Sequence, residues 1–444
     1  MRHLVPISAL LLGMFSLMAA GGLHSILIPI RGGLEGFSNF QIGFIGTGYA
    51  IGFTAGCILV PFIVRRAGHV RTFSALVALL AANILLCAML PDAWVWLVLR
   101  MAAGFGFAGC YMIAESWLNE RVSNAQRGFV FSVYAIVAQG GMMAGQFTLG
   151  AAEPSVDTLF MLGAILYALA VLPTAVSKAQ SPAPLTTTRL DVMGLFHRSP
   201  VAFFGAIMSG VISSSWSNFA PVYGQQVGLS NAAIATLIAL AMLGSVSLQL
   251  PIGRLSDRID RRYAMAIVGA AGAVLGTILT WSTNVGAFGP AFYGALFCYG
   301  AAIYSIYAIV VAHGNDWAED GAFVETASAL LILYGVGTMV GPLFAAQLMT
   351  SFGPTGVFTA TTVAHVALAA FAVYRTFRRP DLARTEQTDF SRLPIGRAQT
   401  PETFALDPRS EDEDDGPATA ADLPTISVAT GEITPAGAAS PTRT

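Results

Sequence analysis

The sequence predicts an all-α membrane protein of twelve transmembrane helices arranged as two pseudo-symmetric six-helix halves. Three observations carry this. Of 444 residues 55% are hydrophobic and only 11% charged, with a mean hydropathy of +0.65. The apolar residues fall in many runs of about 18 or more, the length that crosses a hydrocarbon core of ~30 Å. Segments of the first half recur in the second at one fixed offset.

Taken in order, the runs place spans near 6–30, 40–64, 72–91, 94–117, 128–150 and 157–176, then near 200–224, 230–252, 263–281, 288–312, 324–349 and 355–377. The run from about Leu4 lacks a small-residue cleavage pattern followed by a polar start, so it reads as the first span and not a removed signal. Short connections make neighbouring helices antiparallel. The exception is "SKAQSPAPLTTTRLDVMGLFHRS", a polar link at 177–199. The domain reading is therefore a half at 1–176, a cytoplasmic linker at 177–199, a second half at 200–380 and an acidic tail at 381–444. The tail, rich in Pro, Thr, Ala and charge with "SEDEDDG" at 410–416, lacks the apolar residues to join a bundle and reads as disordered.

The offset is 196 positions, Tyr111 to Tyr307: "YMIAESWLNE" lines up with "YAIVVAHGND". It also pairs Gly104 with Gly300, Gly141 with Gly337 and Gly145 with Gly341. Repeated halves with a cavity at their interface suit a transporter that rocks between two openings. Basic residues in short loops set orientation. One side holds Arg65, Arg66, Arg71, Arg121, Arg127, Lys178, Arg189, Arg198, Arg254, Arg258, Arg261 and Arg262; the other holds Arg31. Both termini are thereby expected in the cytoplasm, with the protein in a cell inner membrane.

The net charge of −2 carries no nucleic-acid signal, because the charges lie in loops and tail. Cys57, Cys87, Cys110 and Cys298 sit inside apolar runs without metal-ligand spacing and read as small buried residues. No G-x-S-x-G, P-loop or H-E-x-x-H is present, so no enzyme, metal or cofactor is expected.

"GRLSDRIDRR", 253–262, packs six charges between two spans. It resembles the signature of the major facilitator superfamily, roughly G-x-L-x-D-R-x-G-R-R. Gly253, Leu255, Asp257, Arg258, Arg261 and Arg262 match, and Asp260 stands where glycine is common. "LRMAAGFGFAG", with Arg100 and Gly104, resembles that family's fourth-span R-x-x-x-G. "YGVGTMVGP" at 334–342 is similar to its glycine-rich G-P element and reads mainly as close helix packing. With "GHVR" and "AESWLNERVSNAQRG", the resemblance points to a bacterial branch of transporters of unassigned substrate. It covers residues 1 to about 380 and implies the major facilitator fold.

The resemblance implies that Asp257 meets a helix N-terminus of the other half, where a carboxylate is favoured by ~0.3–1 kcal/mol. It also implies that Arg258, Arg261 and Arg262 latch the cytoplasmic side; the alternative is a topology anchor. The first-half loop "PFIVRRAGHVR" departs from the pattern, with Arg65 in the aspartate's place. Glu325 opens span 11 and Arg127 opens span 5, so the halves carry opposite arrangements: Arg65 toward Glu325, Asp257 toward the start of span 5.

The resemblance further implies a central cavity lined by spans 1, 4, 7 and 10. These carry His24 and Ser25; Arg100, Tyr111 and Glu115; Trp216 and Asn218 in "SSSWSN"; and Tyr299, Tyr304, Tyr307 and His313. The substrate-binding candidates are His24, Arg100, Tyr111, Trp216, Asn218, Tyr304 and Tyr307, each of them a packing residue in the alternative reading. Arg100 faces the bundle or snorkels to an interface. Glu115 carries protons or pairs with Arg121 at the membrane edge. His24 relays protons or is a hydrogen-bonded core residue.

The expected function is secondary active transport of a small molecule by alternating access, coupled to protons, with export ranked above metabolite uptake. The rival reading is a membrane sensor or lipid-handling protein on the same fold. The expected partners are a small-molecule substrate, protons and membrane lipids, with no nucleic acid, and the chain is expected to be a monomer.

Overall fold

The computed structural model describes residues 8–121, 124–176, 191–318, 323–378 and 400–405. Among them the chain is helical. The first half holds α1 (Ser8–Leu34), α2 (Asn39–Ala67), α3 (His69–Met89), α4 (Ala93–Arg121), α5 (Asn124–Phe147) and α6 (Thr158–Val176). The second holds α8 (Pro200–Gln226), α9 (Asn231–Ser256), α10 (Arg261–Asn284), α11 (Pro290–Asn315), α12 (Phe323–Phe352) and α13 (Gly356–Thr376). Two short helices, α7 (Val192–Arg198) and α14 (Pro401–Ala405), complete the description.

Among the described residues, nine segments are long and apolar enough to cross a membrane. The longest, Glu325–Thr376, contains both α12 and α13, joined by a 3-10 turn at Gly353–Thr355. The apolar helix α8 forms a pair with α7, bent by 117°, and α6 is a shorter apolar helix.

Local chemistry sets the boundaries. Ser38 and Gln41 form a reciprocal capping box at the start of α2. Ser230 caps α9, Asp260 caps α10, and Pro200 and Pro290 occupy first-turn positions of α8 and α11. Between α2 and α3 the chain reverses at Gly68, whose φ of +83° disfavours any side chain.

The internal repeat is visible in the packing. A Cβ on Gly104 would collide with the Tyr49 carbonyl oxygen of α2, and one on Gly300 with the Ala241 carbonyl oxygen of α9. Gly141 and Gly145 press on backbone of α1 at Phe15 and Ala19. Gly337 and Gly341 press likewise on α8 at Ile207 and Val211. The paired glycines thus serve equivalent helix contacts in the two halves. Without a hydrophobic drive inside lipid, such backbone approaches supply dispersion between helices.

Two expectations drawn from composition differ at particular residues. Within the linker, 191–198 is not an open polar link: Asp191 caps α7 through the Gly194 amide and pairs with Arg198 at 2.9 Å. Those two contacts hold the Asp191 carboxyl below the usual carboxylate range. Within the tail expected to be disordered, residues 400–405 form a turn and helix packed on α4 and α12. Hydroxyls and a proline anchor this segment, which a search for apolar residues passes over. The remaining linker and tail residues, and "SEDEDDG", lie outside the described residues.

The halves meet at the end of the bundle away from the linker. There Gln225 donates to the Ile30 carbonyl (3.2 Å) and Gln226 to Asn39 (3.2 Å). Deeper in, Thr47 donates to the Met339 carbonyl at 2.7 Å. A cavity lies between the halves, and toward the linker end its wall reaches Pro61 and Phe62 of α2, Ser328 of α12 and Pro401.

Candidate functional site: the central cavity

The cavity holds about 440 Å³, within the range of small-molecule sites. Its walls come mainly from α1, α2, α4, α8, α11 and α12, with smaller parts from α5 and α9. Thus α2 and α12 contribute alongside the four spans expected from sequence. Arg100, Tyr111, Asn218, Tyr304 and Tyr307 all line it. The residues that sequence reading missed are Tyr49 on α2, Gln146 on α5 and Tyr334 on α12. Tyr334 stacks on Tyr307 with centroids 4.5 Å apart and shares a 2.8 Å hydrogen bond with Ser213. A lone tyrosine among the small residues of "TGYAIGFTAG" was the available signal for Tyr49.

At the far end a narrow recess is bounded by Ser25, Gly46, Arg100 and Asn218 among others. Arg100 is 7% exposed, and its guanidinium lies over the Tyr49 ring at 4.6 Å. Asn218 donates to the Ser214 carbonyl at 2.9 Å, which fixes the amide in place. Arg100 thus faces the bundle interior and does not snorkel outward.

Two substrate candidates stand away from the cavity. His24 is fully buried, shares a 2.9 Å hydrogen bond with the Tyr167 hydroxyl, and is absent from the cavity wall. Trp216 is also fully buried, packed on Tyr299 and Phe358 at 5.6 and 6.0 Å. The physical reason is helical phase: two residues along α8 from Asn218 is about 200° around it, so one faces the cavity and the other the core. Tyr299 hydrogen-bonds Thr361 in the same core, and His313 is buried beside Trp317.

Glu115 is fully buried near the linker end of α4. Tyr134 donates to its Oε1 at 3.2 Å; Thr403 donates to Oε2 at 2.9 Å, joined there by Thr400. Pro401, next to Thr400, forms part of the cavity wall. Glu402 is 8% exposed, and burial beside Glu115 pushes its carboxyl up to about 7. The signal for this contact was a helix-start pattern, threonine followed by proline in "TPETF".

The charged loop is tied into its own half. Arg261 bridges Asp316 (Nε–Oδ2 2.6 Å) and Asp257 (Nη1–Oδ1 3.1 Å), and also donates to Ser256. Arg262 pairs with Asp260 at 2.6 Å and reaches the Arg375 carbonyl. The departure from glycine at Asp260 thus supplies both a helix cap and a buried countercharge. Arg258 is exposed.

Arg65 is exposed and lies over the Phe62 ring at 4.5 Å, while Glu325 is half-buried at the start of α12. No ion pair joins the two among the described residues. The side chains of Arg121 and Arg127 lie outside the described residues, and with them the expected partner of Asp257 on α5.

Comparison with known proteins matches this architecture. The Major Facilitator Superfamily model matches residues 10–247 and again 202–408. "Uncharacterized MFS-type transporter YcaD" proteins of Escherichia coli O139:H28 and Shigella flexneri are 27% identical over 355 residues, covering 80% of this chain and 91% of theirs. Among solved structures, the nucleoside transporter NupG superposes with a TM-score of 0.68 at 14% identity, covering 84% of this chain and 98% of that one. A bacterial homologue of the human lysosomal transporter Spinster, inward-facing and occupied, gives 0.67 at 14% identity, covering 87% and 98%. At such identities the structures speak for the fold alone. The chain belongs to the Major Facilitator Superfamily, a family of membrane transporters and not of enzymes.

Proposed function

We propose that this chain moves a small amphipathic molecule across an inner membrane by alternating access, coupled to protons, with export favoured over uptake. The observation that carries the reading is a cavity between two repeated halves, bridged at one end by Gln225, Gln226 and Thr47 and reaching at the other to Pro61, Phe62 and Pro401. The basic loops support a cytoplasmic linker end, and on that reading the bridged end of the bundle is the outer one. Mixed apolar and aromatic walls with few fixed charges suit an amphipathic cargo. Glu115 is the candidate proton carrier, because it is a fully buried carboxyl near the linker end of α4, held by Tyr134 and Thr403.

The test is initial-rate uptake of labelled amphipathic compounds into proteoliposomes under an imposed pH gradient. The expected result is transport that rises with the gradient, and a Glu115→Gln variant that loses this dependence. Transport at equal rates with and without the gradient would remove protons from the mechanism. No transport of any compound would favour a sensor on the same fold.

A further inference from the structure

The charge of the cavity has a direction. Among the described residues, Arg100 is the one acidic or basic side chain in its wall. It makes no hydrogen bond or ion pair among them, and its buried Nε is without a partner. The next acid along the same helix, Glu115, is fifteen residues on, about 22 Å by helical rise. This guanidinium, 7% exposed and lying over one ring face, has no countercharge among the described residues. The recess in front of it also holds Asn218 from the opposite half.

Resting on the transport reading above, we propose that the cavity takes an organic monoanion with an aromatic or flat apolar body. Its carboxylate, or an acid of like charge, docks on Arg100 in the recess and reaches Asn218, so that one ligand group touches both halves. The body lies against Tyr49, Phe107, Tyr111, Tyr304, Tyr307 and Tyr334. A second negative charge would lie in the apolar part of the cavity without a cation, which disfavours dianions.

The test uses purified full-length protein and four probes: 2-naphthoate, 2-naphthamide, naphthalene-2,6-dicarboxylate and 2-naphthylmethylamine, with binding read by thermal shift and tryptophan fluorescence. The expected result is naphthoate binding at least about tenfold tighter than the amide and the dianion, with the amine weakest. Arg100→Gln should erase the preference for the acid over the amide, and Arg100→Lys should keep part of it. Equal binding of acid and amide, a preference that survives Arg100→Gln, or no binding of any probe overturns the proposal. Naphthoate counterflow in proteoliposomes separates the two claims. Binding with the stated preference but no counterflow sinks the transport reading and leaves the anion site standing.

An independent observation concerns the linker-end mouth, where Thr400 and Thr403 hold Glu115 and Pro401 joins the cavity wall. We propose that residues 400–403 are a strap that restricts this mouth and must leave Glu115 for solute or protons to pass. Cys57 lines the cavity, whereas Cys87 and Cys110 are buried, so a Cys298→Ser background reports on access through maleimide labelling of Cys57. Truncation after residue 390, and the full-length Thr400→Val/Thr403→Val variant, should both label several-fold faster than the parent while melting within a few degrees of it. Unchanged labelling in the double variant overturns the strap.

Discussion

Arg261 and Asp316 form an ion pair of 2.6 Å with side chains 1% and 2% exposed, joining the start of α10 to the end of α11. Breaking such a pair from one side is costly, because the surviving charge stays in low dielectric. Asp316→Asn leaves Arg261 with Asp257 as an acidic partner and is therefore expected to destabilise the second half by less than the ~3–5 kcal/mol of a fully orphaned charge. Arg261→Met combined with Asp316→Leu should recover much of this. Thermal unfolding of the purified variants measures both, and equal losses in the single and double variants would contradict the pairing.

The repeat makes a prediction about glycine. At Gly300 and Gly104 an added methyl meets backbone carbonyl, whereas at Gly140 it meets nothing within 4 Å. Gly300→Ala and Gly104→Ala should each cost about 1–3 kcal/mol through forced helix separation. Gly140→Ala should gain up to about 1 kcal/mol from helix propensity. Melting temperatures that fail to separate the two classes would show that these helices have room to move.

Strap docking should depend on pH. The docked Glu402 carboxyl sits at about 7 against an ordinary 4.5, raised by burial and by the Glu115 charge. A group whose affinity for protons rises on docking favours the docked state when protonated. Docking is then strongest below about 4.5 and weakens as pH rises through about 7. Cys57 labelling, corrected for thiolate fraction, should accelerate across that window, and Glu402→Gln should flatten the profile. A Gln variant with the parent's profile would remove Glu402 from the effect.

Arg65 and Glu325 stand apart here, so Arg65→Glu should change melting by less than about 0.5 kcal/mol, as for an exposed position. On the alternating-access reading, its effect belongs to a conformation in which Arg65 and Glu325 meet. Arg65→Glu alone should raise Cys57 accessibility, and adding Glu325→Arg should restore it. Strictly additive effects in that double-mutant cycle would leave Arg65 as a topology charge.

Much of the molecule was legible in the sequence. Hydropathy marked the long helices, because crossing lipid demands unbroken apolar length. The repeat was readable from glycines because close backbone contact tolerates no other residue. The loop at 253–262 was identifiable as a cluster, and Arg100 as a costly charge that either faces the bundle or snorkels to an interface.

Tertiary structure decided what periodicity leaves open. In a helix that is apolar all round, the pattern does not say which face looks into the cavity. Helical phase sent Trp216 into the core and Asn218 to the recess, and put His24 against Tyr167 on α6. Partners far apart in sequence were also hidden: Arg261 with Asp316, Tyr49 under Arg100, and Thr403 on Glu115 across 288 residues. Composition and period speak of neighbours along one helix. Contacts between helices depend on how the bundle closes, and that is written only in three dimensions.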